Sequence, residues 1–157
     1  MNAKLLIGLL LVGGLAAGPA QAQRAPVPIV NHPDIPVATG SGKPLQADQV
    51  KLAIQAAAKI KGWTLAYEPS GRILATLVVR NKHTVVVEIP YSAEKYSLLY
   101  HDSVNMKYSP GTGRAAPYDA SSRMRGYQQP AGQVIHPFYN DWVRELKEAI
   151  RLELLKL

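Results

Sequence analysis

The chain predicts an α+β domain in which two helices pack on one face of a small antiparallel meander. Three observations carry that expectation. Apolar residues recur at helical spacing in two separated stretches, the period shifts to two over residues 63–108 between them, and the links between the period-two runs are too short for parallel crossovers. The expected order is α-β-β-β-β-α.

The first helix is expected from Ala47 to Lys61, where Val50, Ala53, Ile54 and Ala57 share a face and Gly62 supplies the stop. Leu45 and Val50 stand at staple positions, and Gln49 can complete a capping box with Gln46, a weak cap residue. Four strands follow. Trp63, Leu65 and Tyr67 alternate in the first, and Pro69-Ser70-Gly71 turns the chain into Arg72–Arg80. Asn81-Lys82-His83 returns it into β-branched Thr84–Ile89, which Pro90 ends, and the fourth strand starts at Tyr96 and reaches about His101. The last helix opens at His136-Pro137, with Phe138, Trp142, Leu146, Ala149, Ile150 and Leu154 as its expected buried stripe. On its outer side Asp141/Arg144, Arg144/Glu148 and Glu148/Arg151 are spaced to pair.

Alternation assigns the sheet two faces. Ile73, Leu77, Val85, Val87 and Ile89 are expected to meet the helices, leaving Leu74, Val78, Val86 and Leu99 on the other side. That second face is apolar enough to invite cover, first by the segment 23–45, then by a second copy or another envelope protein. Residues 23–45 hold prolines at 26, 28, 33, 36 and 44, which bar a helix or a central strand, so an extended arm is expected.

Residues 1–22 read as a secretory signal peptide. Lys4 precedes an apolar run from Leu5 to Ala17, shorter than the roughly 20 residues of a spanning helix, and Ala20-Gln21-Ala22 offers small residues to a signal peptidase. No twin arginine precedes the run, so the general secretory route and a periplasmic or secreted product are expected, with no transmembrane anchor after cleavage. Cleavage after Ala22 leaves 135 residues (157 minus 22) with a net charge of +6 (+7 less Lys4). The domain proper is 46–157, interrupted by a basic loop at 109–132.

No cysteine is present, which excludes thiol nucleophiles, disulfide frameworks, zinc ribbons and Fe–S ligation. The histidines at 32, 83, 101 and 136 lack metal-ligand spacing, so neither a metal nor a cofactor is expected. His101-Asp102-Ser103 has the residue types of a hydrolytic triad, but neighbours on a strand point to opposite faces and Gly-x-Ser-x-Gly is absent. Asp102, Ser103 and Asn105 suit backbone capping at a strand end, or a small polar pocket near His136. The loop adds Arg114, Arg123 and Arg125, with Tyr118 and Tyr127 among them, a mixture that suits anions and stacked rings. Elsewhere the positive charge is spread. Anionic polymers or lipid headgroups are therefore accessible partners after export, and nucleic acid is not expected.

Several runs carry a resemblance: Gln49–Trp63, Arg80-Asn81-Lys82-His83 leading into 85–91, Tyr96–Tyr100, Asp102–Tyr108 and Ile135–Val143. Over about residues 46–150 the chain resembles a family of small exported proteobacterial proteins of lipoprotein-like type. The resemblance implies a compact α+β domain in the periplasm and no particular activity. This chain departs from that family by lacking a lipid-attachment cysteine and by its longer 109–132 loop. Together these signals lead us to expect a non-enzymatic binding or protein-interaction module of the cell envelope. Its recognition surfaces would be the second sheet face and the loop, with Arg114, Tyr118, Arg123, Arg125, Tyr127, His101, Asp102 and Asn105 as candidate contacts. The alternatives are a basic adaptor for lipopolysaccharide or wall polymers, and a hydrolase using His101, Asp102, Ser103 or His136.

Overall fold

In the computed structural model, which describes residues 24–111 and 132–157, the chain runs β1 (Val27–Pro28), β2 (His32–Pro36), α1 (Ala47–Ile60), β3 (Thr64–Tyr67), β4 (Ile73–Val79), β5 (His83–Ile89), β6 (Lys95–Val104), β7 (Val134–Ile135) and α2 (Phe138–Leu154). The expected meander is β3 to β6, all antiparallel, and β2 joins it to give the order β2-β6-β5-β4-β3. A separate two-stranded ladder pairs β1 with β7.

Local chemistry explains the ends of α1. Gln49 Oε1 accepts the Gln46 N–H at 2.8 Å, and Leu45 is buried ahead of them. At the other end Gly62 takes φ +74°, the Gly62 N–H donates to Lys59 O, and the Trp63 N–H donates to Ala58 O at 2.8 Å. That pair of bonds is a Schellman stop, and it aims the buried Trp63 straight into β3.

The face assignment follows the pleat. Ile73, Ala75, Val85, Val87 and Ile89 are fully buried against α1 and α2, and Leu77 packs at the margin of the same core. Leu74, Val78 and Val86 pair across the sheet with Glu88, Thr84 and Thr76 on the opposite face. No element among the described residues covers that face, where Val78 and Val104 are 53% and 60% exposed. It is a mixed surface rather than an apolar one. Arg72 bridges Glu68 and Glu88, each at 2.9 Å, and His101 Nδ1 stands 3.7 Å from Glu88. Such a face is compatible with water on one side of an antiparallel sheet.

The arm does not spread over that second face, and it is more regular than its prolines suggest. It takes the sheet edge instead, pairing His32 with Leu98 and Ile35 with Tyr96 around an irregularity, with Asp34 at φ +50°. An edge strand is where proline is tolerated, because one row of its N–H groups faces outward. Polar anchors hold the rest. Asn140 donates to Pro28 O and accepts from the Val30 N–H, Asn31 Oδ1 accepts the Tyr100 N–H, and Ser97 Oγ accepts the Asp34 N–H. Further on, Ser41 Oγ donates to Leu157 O at 2.7 Å, and the backbone passes so close to the end of α2 that a Cβ at Gly40 would collide with the Leu155 carbonyl.

The buried stripe of α2 is Tyr139, Val143, Leu146, Ala149, Ile150 and Leu154. Its start differs from expectation. Pro137 is the N-cap, Phe138 is 40% exposed, and Trp142 is only partly buried, packed at the margin of the core rather than within it. Asp141–Arg144 and Glu148–Arg151 do pair along the outside, each at 2.6 Å. No helix among the described residues is long and apolar enough to cross a membrane.

Tyr139 is fully buried, touches Tyr100 edge to face at 5.6 Å, and its hydroxyl has no hydrogen-bond partner among the described residues. An unpaired buried hydroxyl adds nothing that phenylalanine would lack. Tyr139→Phe should therefore leave unfolding free energy within about 1 kcal/mol of the parent or raise it. Tyr139→Ala should cost about 3–5 kcal/mol through the cavity it leaves. Urea unfolding of both variants measures the difference.

Candidate functional site

The described residues form a cleft of about 310 Å³ at the turn end of the β4–β5 hairpin, lined by Val79, Arg80, His83, Met106, His136, Phe138 and Trp142. Its position follows from layer lengths. Val79 and His83 are paired at the end of the hairpin, on the face that carries Ile73, Ala75, Val85 and Val87. Lys61, the C-cap of α1, reaches Glu145 at 3.4 Å. Phe138 lies about 10 Å further back along α2, at the helical rise per residue. The first turns of α2 thus overhang the end of α1, and the last inward positions of the hairpin face the rings of that overhang and Met106.

The backbone around the cleft is tightly set. Arg80 and Asn81 take φ +54° and +51°, and the Lys82 N–H donates to Val79 O at 3.1 Å, the geometry of a type I′ turn. Asparagine tolerates that region readily, whereas arginine rarely enters it. Asn105, at φ +58°, ties the two sides together. Its Nδ2 donates to Lys82 O at 3.1 Å, and its carbonyl accepts from His83 Nδ1 at 2.8 Å. Since a carbonyl only accepts, His83 carries its proton on Nδ1.

His136 is held the other way round. Its Nδ1 accepts the Phe138 N–H at 3.3 Å, capping the start of α2, so in the neutral ring the proton sits on Nε2. The His136 and Phe138 rings lie 4.8 Å apart, the Phe138 and Trp142 rings 5.9 Å apart, and the Arg24 guanidinium stands 4.7 Å above the Phe138 ring. Desolvation, and then the charges of Lys107, His83 and Arg24, hold His136 below the ordinary imidazole value of 6.5. At the far side of the sheet edge, His32 is lowered by burial and by Lys147.

The sequence-derived candidates are dispersed. His101 lies on the outer sheet face beside Glu88, and Asp102 Oδ1 accepts the N–H of its neighbour Ser103 at 2.7 Å. Ser103 Oγ is engaged with the Tyr100 hydroxyl at 3.0 Å, so these three do not form a proton relay. A register shift between Val86 and Val87 pairs Val86 with Asp102 and Val87 with Tyr100 and leaves His101 as the extra residue of a bulge. Of the candidates, His136 lines the cleft, and Asn105 stands beside it, where its carbonyl positions His83. Arg114, Tyr118, Arg123, Arg125 and Tyr127 lie outside the described residues. Among the described residues no three His, Asp or Glu side chains converge as metal ligands would.

Sequence reasoning treats His83 as a turn residue, His136 as a helix opener and Phe138 and Trp142 as core, and so misses the cleft they build together. The available signal was the density of rings at residues 136, 138 and 142 beside a helix start. The cleft can hold a ring against Phe138 and Trp142 and meet a polar group with Arg80 and the two imidazoles. Comparison with family models, with curated proteins and with solved structures finds no match for this chain.

Both lowered histidines bind a proton at higher pH in the unfolded chain than in the folded one. Stability should be fullest above pH 6.5 and decline as pH falls through that value toward the lowered folded values. Thermal midpoints should drop between about pH 7.5 and about pH 5.5. His32→Gln combined with His136→Asn should flatten that slope.

Proposed function

We propose that this protein is a non-catalytic binding module of the bacterial envelope and that the cleft at the hairpin end of the sheet is its ligand seat. One observation carries the reading: a concave site of about 310 Å³ joins ring and thioether surfaces to Arg80 and two imidazoles. Small-molecule sites have this make-up, mostly apolar with a few placed polar groups. Arg80 and Asn105 both occupy the left-handed backbone region beside the cleft, which favours a site whose shape is set before a ligand arrives. The outer sheet face, which the sequence suggests as a recognition surface together with the 109–132 loop, is crossed by the Arg72–Glu88 pair and by Thr76 and Thr84, which supports a solvated role for it.

The address rests on residues 1–22 and on the family resemblance. Export by the general secretory route should yield a periplasmic form starting at Gln23, and the intact mass of the protein from an osmotic-shock fraction checks this.

Uncharged aromatic fragments such as indole, titrated into the isotope-labelled protein, should shift the amide signals of Val79, His83, Met106 and the Trp142 indole first. Shifts centred instead on Leu74, Val86 and Leu99 would move the ligand seat to the open sheet face and overturn the proposal.

A further inference from the structure

Among the described residues that line the cleft or act on its histidine, every formal charge is positive. Arg80 lines it and has no ion pair or hydrogen bond among the described residues. Arg24 sits over the Phe138 ring, Lys107 acts on His136, and no carboxylate is among the lining residues. An apolar cleft with such a rim attracts an anion more than a neutral guest, and the attraction gains strength where rings exclude water.

The hydrogen-bonding inventory narrows the anion. His136 spends Nδ1 on the Phe138 N–H, so its Nε2–H is a donor that has no partner among the described residues. A guanidinium offers paired donors in one plane, which match the two oxygens of a carboxylate. Of the cations near the cleft, Arg80 alone is among its described lining residues and Arg24 is engaged on the Phe138 ring, so one guanidinium and one imidazole donor face a guest. They suit a single negative charge, whereas a phosphate dianion would call for further donors. The rest of the wall is flat or soft: Phe138, Trp142 and Met106 present rings and a thioether. A volume of about 310 Å³ equals that of about ten water molecules at ~30 Å³ each, ample for a fused two-ring body.

We propose that the cleft binds a carboxylate joined to a flat apolar body, with the carboxylate on Arg80 and His136 Nε2 and the body against Phe138, Trp142 and Met106. This rests on the cleft being the ligand seat. The chemistry required is an aromatic or similarly flat monocarboxylic acid of small size.

Calorimetric titration of the intact protein with 2-naphthoate, 2-naphthamide and 2-naphthyl phosphate, at neutral pH and low salt, tests the assignment. Naphthoate should bind at least about tenfold more tightly than the amide, the phosphate should bind no better than naphthoate, and Arg80→Gln should bring naphthoate down to the level of the amide. Arg80 is exposed and in a turn, so that variant should fold, and its thermal unfolding verifies this. Trp142→Ala should weaken the acid and the amide alike. Equal affinity for acid and amide, both lost in Trp142→Ala, overturns the carboxylate assignment while the ligand seat stands. Tighter binding of the phosphate than of naphthoate, or a preference for the acid that survives Arg80→Gln, overturns it too. Binding of neither ring compound, or binding indifferent to Trp142→Ala, removes the seat itself and the assignment with it.

Discussion

The length of the helical layer relative to the sheet governs this molecule. A sheet face of alternating apolar residues must be covered, and α1 and α2 cover most of it, burying Ile73, Ala75, Val85, Val87 and Ile89 completely. Because α1 ends beside Glu145, cover over the hairpin end falls to the first turns of α2 alone. Rings there stand where a second helix would otherwise provide cover, and two rings do not fill the width that a helix would. The cleft is the volume that this substitution leaves unfilled.

The polar contacts of the arm have a different job from the core. Asn140, close to the start of α2, bonds both Pro28 and Val30, and Asn31 bonds the backbone of Tyr100. Each of these bonds is modest in net worth, about 1 kcal/mol. Their combined effect is positional. They fix the arm along the same end of the molecule that holds His136 and Phe138, and they bring Arg24 over the Phe138 ring. The aromatic group of Tyr100, Tyr108 and Tyr139 stiffens the neighbouring floor, with Tyr100 stacked on Tyr108 at 5.0 Å. Burial pushes the Tyr139 hydroxyl upward, as it does Tyr96, which reaches about 12. The ionised form of either phenol is unwelcome in such surroundings.

Both helices, the four-strand meander and the sorting of Ile73, Val85 and Val87 from Leu74, Val78 and Val86 were legible in the residues, because periodicity reports directly which side is buried. Three things were not. β1 and β7 are two residues each and lie more than a hundred positions apart in the chain, so no local pattern encodes their pairing. The bulge at His101 shifts the phase of β6 without altering its composition, so alternation read from the residues does not locate it. Finally, Phe138 and Trp142 fall on the same helical spacing as Leu146 and Ile150. Only the place where the opposing helix stops decides that the first pair borders a cleft and the second pair is core. That is a relation between elements, and a linear pattern does not contain it.

The proline-bearing edge strand has a further consequence for how copies of this molecule meet. Pro33 and Pro36 deprive β2 of donors, Asp34 kinks it, and the Asp34–Lys95 pair at 2.7 Å puts charge on its rim. A strand so furnished is a poor template for another chain, and natural sheets guard themselves in just these ways. The opposite margin, β3, is only four residues long, which limits the ladder a neighbour could build there. Crowded at high concentration, the domain is thereby shielded on both flanks against stacking edge to edge into fibrils.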